Sequence, residues 1–88
     1  MSNIIMLVIV MATVYRRIKD LREDRDWKQR DMAEKLHICR STYSAYENGA
    51  NAVPLETLIA LAQIYKTSVD YLLELTDDPR PYARKPGK

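Results

Sequence analysis

The chain has 88 residues, with 14 Lys/Arg against 12 Asp/Glu, and carries one histidine, one cysteine and two glycines. A domain of this size buries only roughly 60% of its unfolded surface, so its core must come from a few packed helices and not from two layers of sheet. Cys39 alone closes no intrachain disulfide, and His37 with Cys39 supplies too few ligands for a metal site, so neither a metal nor a cofactor is expected.

The first element is the uncharged run Ile4 to Val14, IIMLVIVMATV. A bilayer-spanning helix needs about 20 apolar residues, so no membrane span is expected. A secretory signal starts with Lys/Arg and ends at a small-residue cleavage site; here Met-Ser-Asn leads and Tyr15-Arg16-Arg17 follows. Three readings stay open: an extension ahead of a start at Met11, an apolar segment that extends the first helix or pairs with a second copy, and a weak surface anchor. The last is disfavoured because one short apolar run binds lipid poorly. Residues 1–14 are set apart as an apolar N-terminal extension.

Tyr15 to Asp26 has the pattern of an amphipathic helix, with Val14, Ile18 and Leu21 inward and Arg17, Lys19, Asp20, Glu23 and Asp24 toward water. Trp27 follows as a core plug. Lys28 is a poor N-cap for the second helix, although Asp31 in its first turn suits the helix dipole. Met32, Ala33 and Leu36 recur at helical spacing, Ile38 interrupts, and Tyr43 and Tyr46 resume three apart. The small Ala33 suits a close helix crossing, His37 sits at the corner, and Gly49 stands where a positive φ ends the next helix. Tyr43 and Tyr46 are assigned to the core; Arg40, Ser41, Thr42, Ser44 and Ala45 lie between them as short, polar or cationic side chains. A helix-turn-helix presents such a face to the DNA major groove.

Beyond Gly49, Ala50 to Val53 reads as a loop and Pro54 as a first helical residue. Leu55, Leu58, Ile59, Ala62 and Tyr65 form the expected apolar stripe, and Ser68 is placed to cap a last short helix packed through Val69, Leu72, Leu73 and Leu75. The domain is expected over residues 15–78, with 79–88 as a flexible basic tail. Arg16 to Arg40 holds nine Lys/Arg against six Asp/Glu, whereas Ser41 to Asp78 holds Lys66 alone against six acids. That asymmetry suits a module with one basic, DNA-facing side, and solvated i, i+4 pairs account for part of it.

From Tyr15 to Tyr82 the chain resembles the phage-repressor-like helix-turn-helix domains, the lambda-repressor, Cro and XRE group. Three stretches carry the likeness in order: RIKDLRED-x-DW-x-QRDMAEKL, STYSAYENG and VPLETLIALAQIYKTSVDYLLELTDD. Members often begin much as Met11-Ala12-Thr13-Val14-Tyr15 does. The resemblance implies an all-α, compact five-helix domain. It places Gln29, with Arg30 beside it, at the phosphates and first bases, and Arg40, Ser41, Thr42, Ser44 and Ala45 at the opening of a recognition helix. Asn48 and Asn51 match backbone-contacting positions after that helix. Arg22 and Glu47 match a structural salt bridge between the first helix and the end of the third.

Three positions depart from the family pattern. His37 replaces the usual corner glycine, Cys39 replaces a capping Ser or Thr, and the loop Ala50-Asn51-Ala52 has no cation for phosphate. Each missing ionic contact removes roughly 0.9 from the salt slope on B-DNA, so binding is expected to depend on dimerisation. The expected function is a cytoplasmic, bacterial or phage-derived DNA-binding regulator, a repressor acting as a homodimer on a palindromic operator of double-stranded DNA. No small-molecule ligand is expected. No glycine-rich phosphate loop or acid, base and nucleophile set supports catalysis. The rival expectation is a protein-interaction module on the same fold, antitoxin-like or bridging.

Overall fold

A computed structural model describes residues 15–81; the expectations for residues 1–14 and 82–88 lie outside the described residues. Five helices follow in order: α1 (Arg16–Asp24), α2 (Gln29–Leu36), α3 (Arg40–Asn48), α4 (Leu55–Tyr65) and α5 (Val69–Leu72), with no strand among the described residues. The fold is all-α. Each helix contributes one side chain with no solvent exposure to the centre: Ile18, Met32, Tyr43, Leu61 and Leu72. Ala33, Tyr46, Leu58, Ala62 and Tyr65 complete that core, and the short Ala33 side chain lets α2 and α3 approach closely.

Four of the five helices end by the same device. Asp26, His37, Lys66 and Glu74 take left-handed backbone conformations, with φ of 56, 58, 55 and 63°. The next N–H then turns back to a carbonyl of the final turn: Trp27 to Arg22 (3.1 Å), Ile38 to Ala33 (3.0 Å), Thr67 to Ala62 (2.8 Å) and Leu75 to Asp70 (2.9 Å). This is the Schellman closure, normally built on glycine. It also ends α1 at Asp24, two residues before the sequence pattern suggests. Only α3 stops on a glycine, Gly49, with φ 83°.

Several inward assignments need correction. Leu55, Ile59 and Leu75 are 64%, 44% and 72% exposed, whereas Leu61, outside the expected stripe, is fully buried. Helix α4 is apolar on most of its circumference, so spacing alone does not choose its buried face. Leu75 follows the left-handed Glu74, which redirects the chain away from the core. Pro54 is the N-cap, extended at ψ 154°, and α4 starts one residue later. Ser68 does cap α5, its Oγ accepting from the Tyr71 N–H at 3.0 Å.

Arg17, expected to face water, is half-buried. Its Nη1 donates to the carbonyls of Tyr71 (2.9 Å) and Thr76, and its Nη2 to Asp77 Oδ1 (2.8 Å). The guanidinium lies 4.0 Å from the centre of the Tyr71 ring. One side chain of α1 thus ties down the Tyr71 carbonyl, which also accepts from the Glu74 N–H (3.1 Å), and the Thr76 carbonyl beyond the end of α5.

Candidate nucleic-acid interface

Helices α2 and α3 are joined by His37, Ile38 and Cys39. The half-buried Ile38 packs on the core, while His37 and Cys39 are exposed. At the start of α2 the Asp31 carboxylate accepts from the Lys28 N–H at 2.7 Å. A lysine side chain has no acceptor to complete a reciprocal capping box. At the start of α3, Cys39 is extended (φ −70°, ψ 147°) and makes no side-chain cap hydrogen bond. The first-turn N–H groups of a helix have no intrahelical acceptors, and here neither the Lys28 nor the Cys39 side chain serves them.

The positions singled out from the sequence lie on α2, α3 and the loop that follows. Arg30, Arg40, Ser41, Asn48 and Asn51 are exposed; Gln29, Thr42, Ser44 and Ala45 are half-exposed. The loop after Gly49 folds back on α3. Asn48 Oδ1 accepts from the Ala50 N–H (2.9 Å), and the Asn51 N–H donates to the Ala45 carbonyl (3.1 Å).

Behind this face lies a charged network. Arg22 on α1 grips Glu47 in the last turn of α3 through Nε to Oε2 (2.7 Å) and Nη2 to Oε1 (3.1 Å). Its Nη1 donates to the Trp27 carbonyl at 2.8 Å. Tyr43 Oη donates to Glu47 Oε2, and Gln29 Nε2 to Glu47 Oε1 at 3.1 Å. Arg22 and Glu47 are both buried, and no buried side-chain nitrogen or oxygen among the described residues lacks a partner.

Burial pushes the Glu47 carboxyl upward, but hydrogen bonds from Arg22, Tyr43 and Gln29, with the charge of Arg22, hold it below the ordinary carboxylate value. The hydrogen bond to Glu47 outweighs desolvation at Arg22 and raises its already high pKa. Tyr43 is pushed well above an ordinary phenol, first by burial and then by its bond to Glu47. The carboxylate therefore stays ionised and the phenol neutral at pH 7.

Sequence reasoning finds the Arg22–Glu47 pairing only through resemblance, and it misses the bonds from Gln29 and Tyr43. It also misses a cation–aromatic layer beside α2. Trp27 stacks on Tyr65 with ring centroids 5.9 Å apart; Lys35 Nζ lies 4.5 Å from the Trp27 ring centre and the Arg25 guanidinium 4.9 Å from that of Tyr65. Among the described residues, no group of three or more His, Cys, Asp or Glu is placed to hold a metal ion.

A family model described as helix-turn-helix matches residues 18–72, nearly the whole five-helix unit. The chain belongs to this phage-repressor-like helix-turn-helix family. It is 42% identical over 66 residues to the uncharacterized HTH-type transcriptional regulator YobD of Bacillus subtilis, covering 75% of this chain and 59% of that protein. It is 36% identical over 58 residues to the HTH-type transcriptional regulator ImmR of the same organism, covering 66% and 46%. With the cryptic phage CTXphi transcriptional repressor RstR of Vibrio cholerae it shares 37% identity over 57 residues, covering 65% and 51%. The matched segment spans about half the length of these relatives. No solved structure gives a significant match.

Proposed function

We infer that this helix-turn-helix chain is a sequence-specific, DNA-binding transcriptional regulator, a repressor that acts as a homodimer on a two-fold operator in the cytoplasm. One observation carries the reading. Helix α3 presents Arg40, Ser41 and Asn48 outward while Tyr43, Tyr46 and Glu47 fix its opposite side in the core. A rigid helix with a polar outer face fits the major groove, and its short side chains allow close approach to base edges. Arg40 is assigned to a guanine edge, and Ser41, Thr42, Ser44 and Ala45 to bases or adjoining phosphates. Gln29, with Arg30 beside it, is assigned to phosphates and the first bases at the start of α2, and Asn48 at the end of α3 and Asn51 after it to the DNA backbone. The relatives named as transcriptional regulators, one of them a phage repressor, support the reading. No catalytic step is assigned to the chain.

Selection of duplexes from a random DNA pool tests it. The expected result is an enriched palindrome with half-site centres about 34 Å apart, bound less tightly as salt rises. Arg40→Ala should weaken that site by about 1–3 kcal/mol and relax the preference at one base pair. A pool that yields no enriched sequence overturns the reading. The exposed Leu55 and Ile59 on α4 favour a second reading, a protein-interaction module, which the same selection separates.

A further inference from the structure

We propose that Glu47 is a positioning residue for Gln29, setting the glutamine amide before DNA arrives; this rests on the DNA-binding reading above. The buried carboxylate collects donors from three helices. Arg22 of α1 supplies the compensating charge through a two-point grip, and Tyr43 donates from one turn earlier in α3. The Gln29 bond at 3.1 Å is additional to both. Of the donors, Gln29 alone belongs to the assigned DNA face, at the first position of α2 and half-exposed.

The bond has two consequences. A free glutamine loses rotamer freedom on contact with a ligand, and a glutamine already held does not, so less of the contact is spent on ordering. The bond also decides which way the amide faces. An ionised carboxylate only accepts, so the Gln29 nitrogen must point at Glu47. The carbonyl oxygen and the second N–H are left for DNA. Glu47 never needs to touch the nucleic acid; it acts through Gln29 while Arg22 keeps it ionised.

The test uses the full chain and the duplex enriched from the random pool. Replacing a buried ion pair by apolar side chains of similar volume is often neutral for folding, so Arg22→Met with Glu47→Met removes the anchor. In the native background Gln29→Ala should weaken binding about tenfold, the loss of one good contact. In the double-variant background the same substitution should cost less than twofold. Equal losses in both backgrounds overturn the proposal, as does no loss in the native background while the duplex is still selected. Failure of the native chain to select any duplex sinks the DNA-binding reading itself, before a Gln29 variant is made. Should the double variant not fold, the DNA-free native chain decides. The side-chain amide of Gln29, assigned by its disappearance in Gln29→Ala, should exchange slowly with water in its NMR spectrum. Exchange at the rate of a free glutamine amide overturns the proposal.

Discussion

The two ends of α3 are built on opposite plans. At the C-terminal end Glu47 takes hydrogen bonds from Arg22, Tyr43 and Gln29, Gly49 turns the chain, and the Asn51 N–H returns to Ala45. At the N-terminal end Cys39 caps nothing with its side chain, and Arg40 and Ser41 stand in solvent. The contrast teaches that a helix secured at one end needs no stabilising side chain at the other. Its opening turn is then available to serve binding.

Glu47→Ala should break this contrast most severely. It leaves the buried Arg22 guanidinium only the exposed Glu23 carboxylate at 3.9 Å as counter-charge, at a cost of about 3 kcal/mol, read as a lowered urea midpoint. A loss below about 1 kcal/mol would mean that the two ends contribute alike. Titration should come next. The folded pKa of Glu47 is depressed, so its contribution is present above the unfolded value of about 4.3 and is lost as pH falls through the folded value. Tyr43 and Tyr65 shift the other way, Tyr65 pushed up to about 12 chiefly by burial. Their contribution is complete below the unfolded value of about 10 and fades as pH rises through the folded ones. Unfolding free energy against pH should therefore be a plateau that falls at both edges, with the acid fall shallower in Glu47→Gln.

Cys39→Ser probes the open end. A hydroxyl at this N-cap should add about 1 kcal/mol, seen as a higher Tm; no gain would mean that the first-turn donors of α3 are already satisfied. The smallest effect is expected at the corner. His37→Gly should stabilise by roughly 0.5 kcal/mol, because relief of the left-handed backbone is partly offset by the entropy glycine loses on folding.

What could be read in advance follows from where each signal resides. Helices α2 and α3 were legible because Met32, Ala33, Tyr43 and Tyr46 repeat at helical spacing within short segments. The inward face of α4 was not, since apolar residues occupy most of its circumference from Leu55 to Tyr65 and spacing has little to select between. Arg17 was misread for another reason. Its partners are mainly backbone carbonyls, which leave no mark in a sequence, and they lie at Tyr71 and Thr76. The bond from Gln29 to Glu47 joins two ordinary polar residues 18 positions apart, a distance at which no local pattern operates. The outward side chains of α3 were visible as polar positions, but polarity alone assigns none of them to a base or to a phosphate.

The left-handed corners at Asp26, His37, Lys66 and Glu74 bear finally on how long each molecule survives. A non-glycine residue in that conformation forgoes roughly 1 kcal/mol, and four together are a sizeable share of the roughly 5–15 kcal/mol that holds a small domain folded. Proteolysis samples the opened chain in proportion to its equilibrium population when opening and closing are fast, and changes of about 1–2 kcal/mol alter cellular abundance several-fold. Lys66 lies beyond α3 in sequence, at the end of α4, and glycine there should lengthen the protein's lifetime without altering a single side chain assigned to DNA.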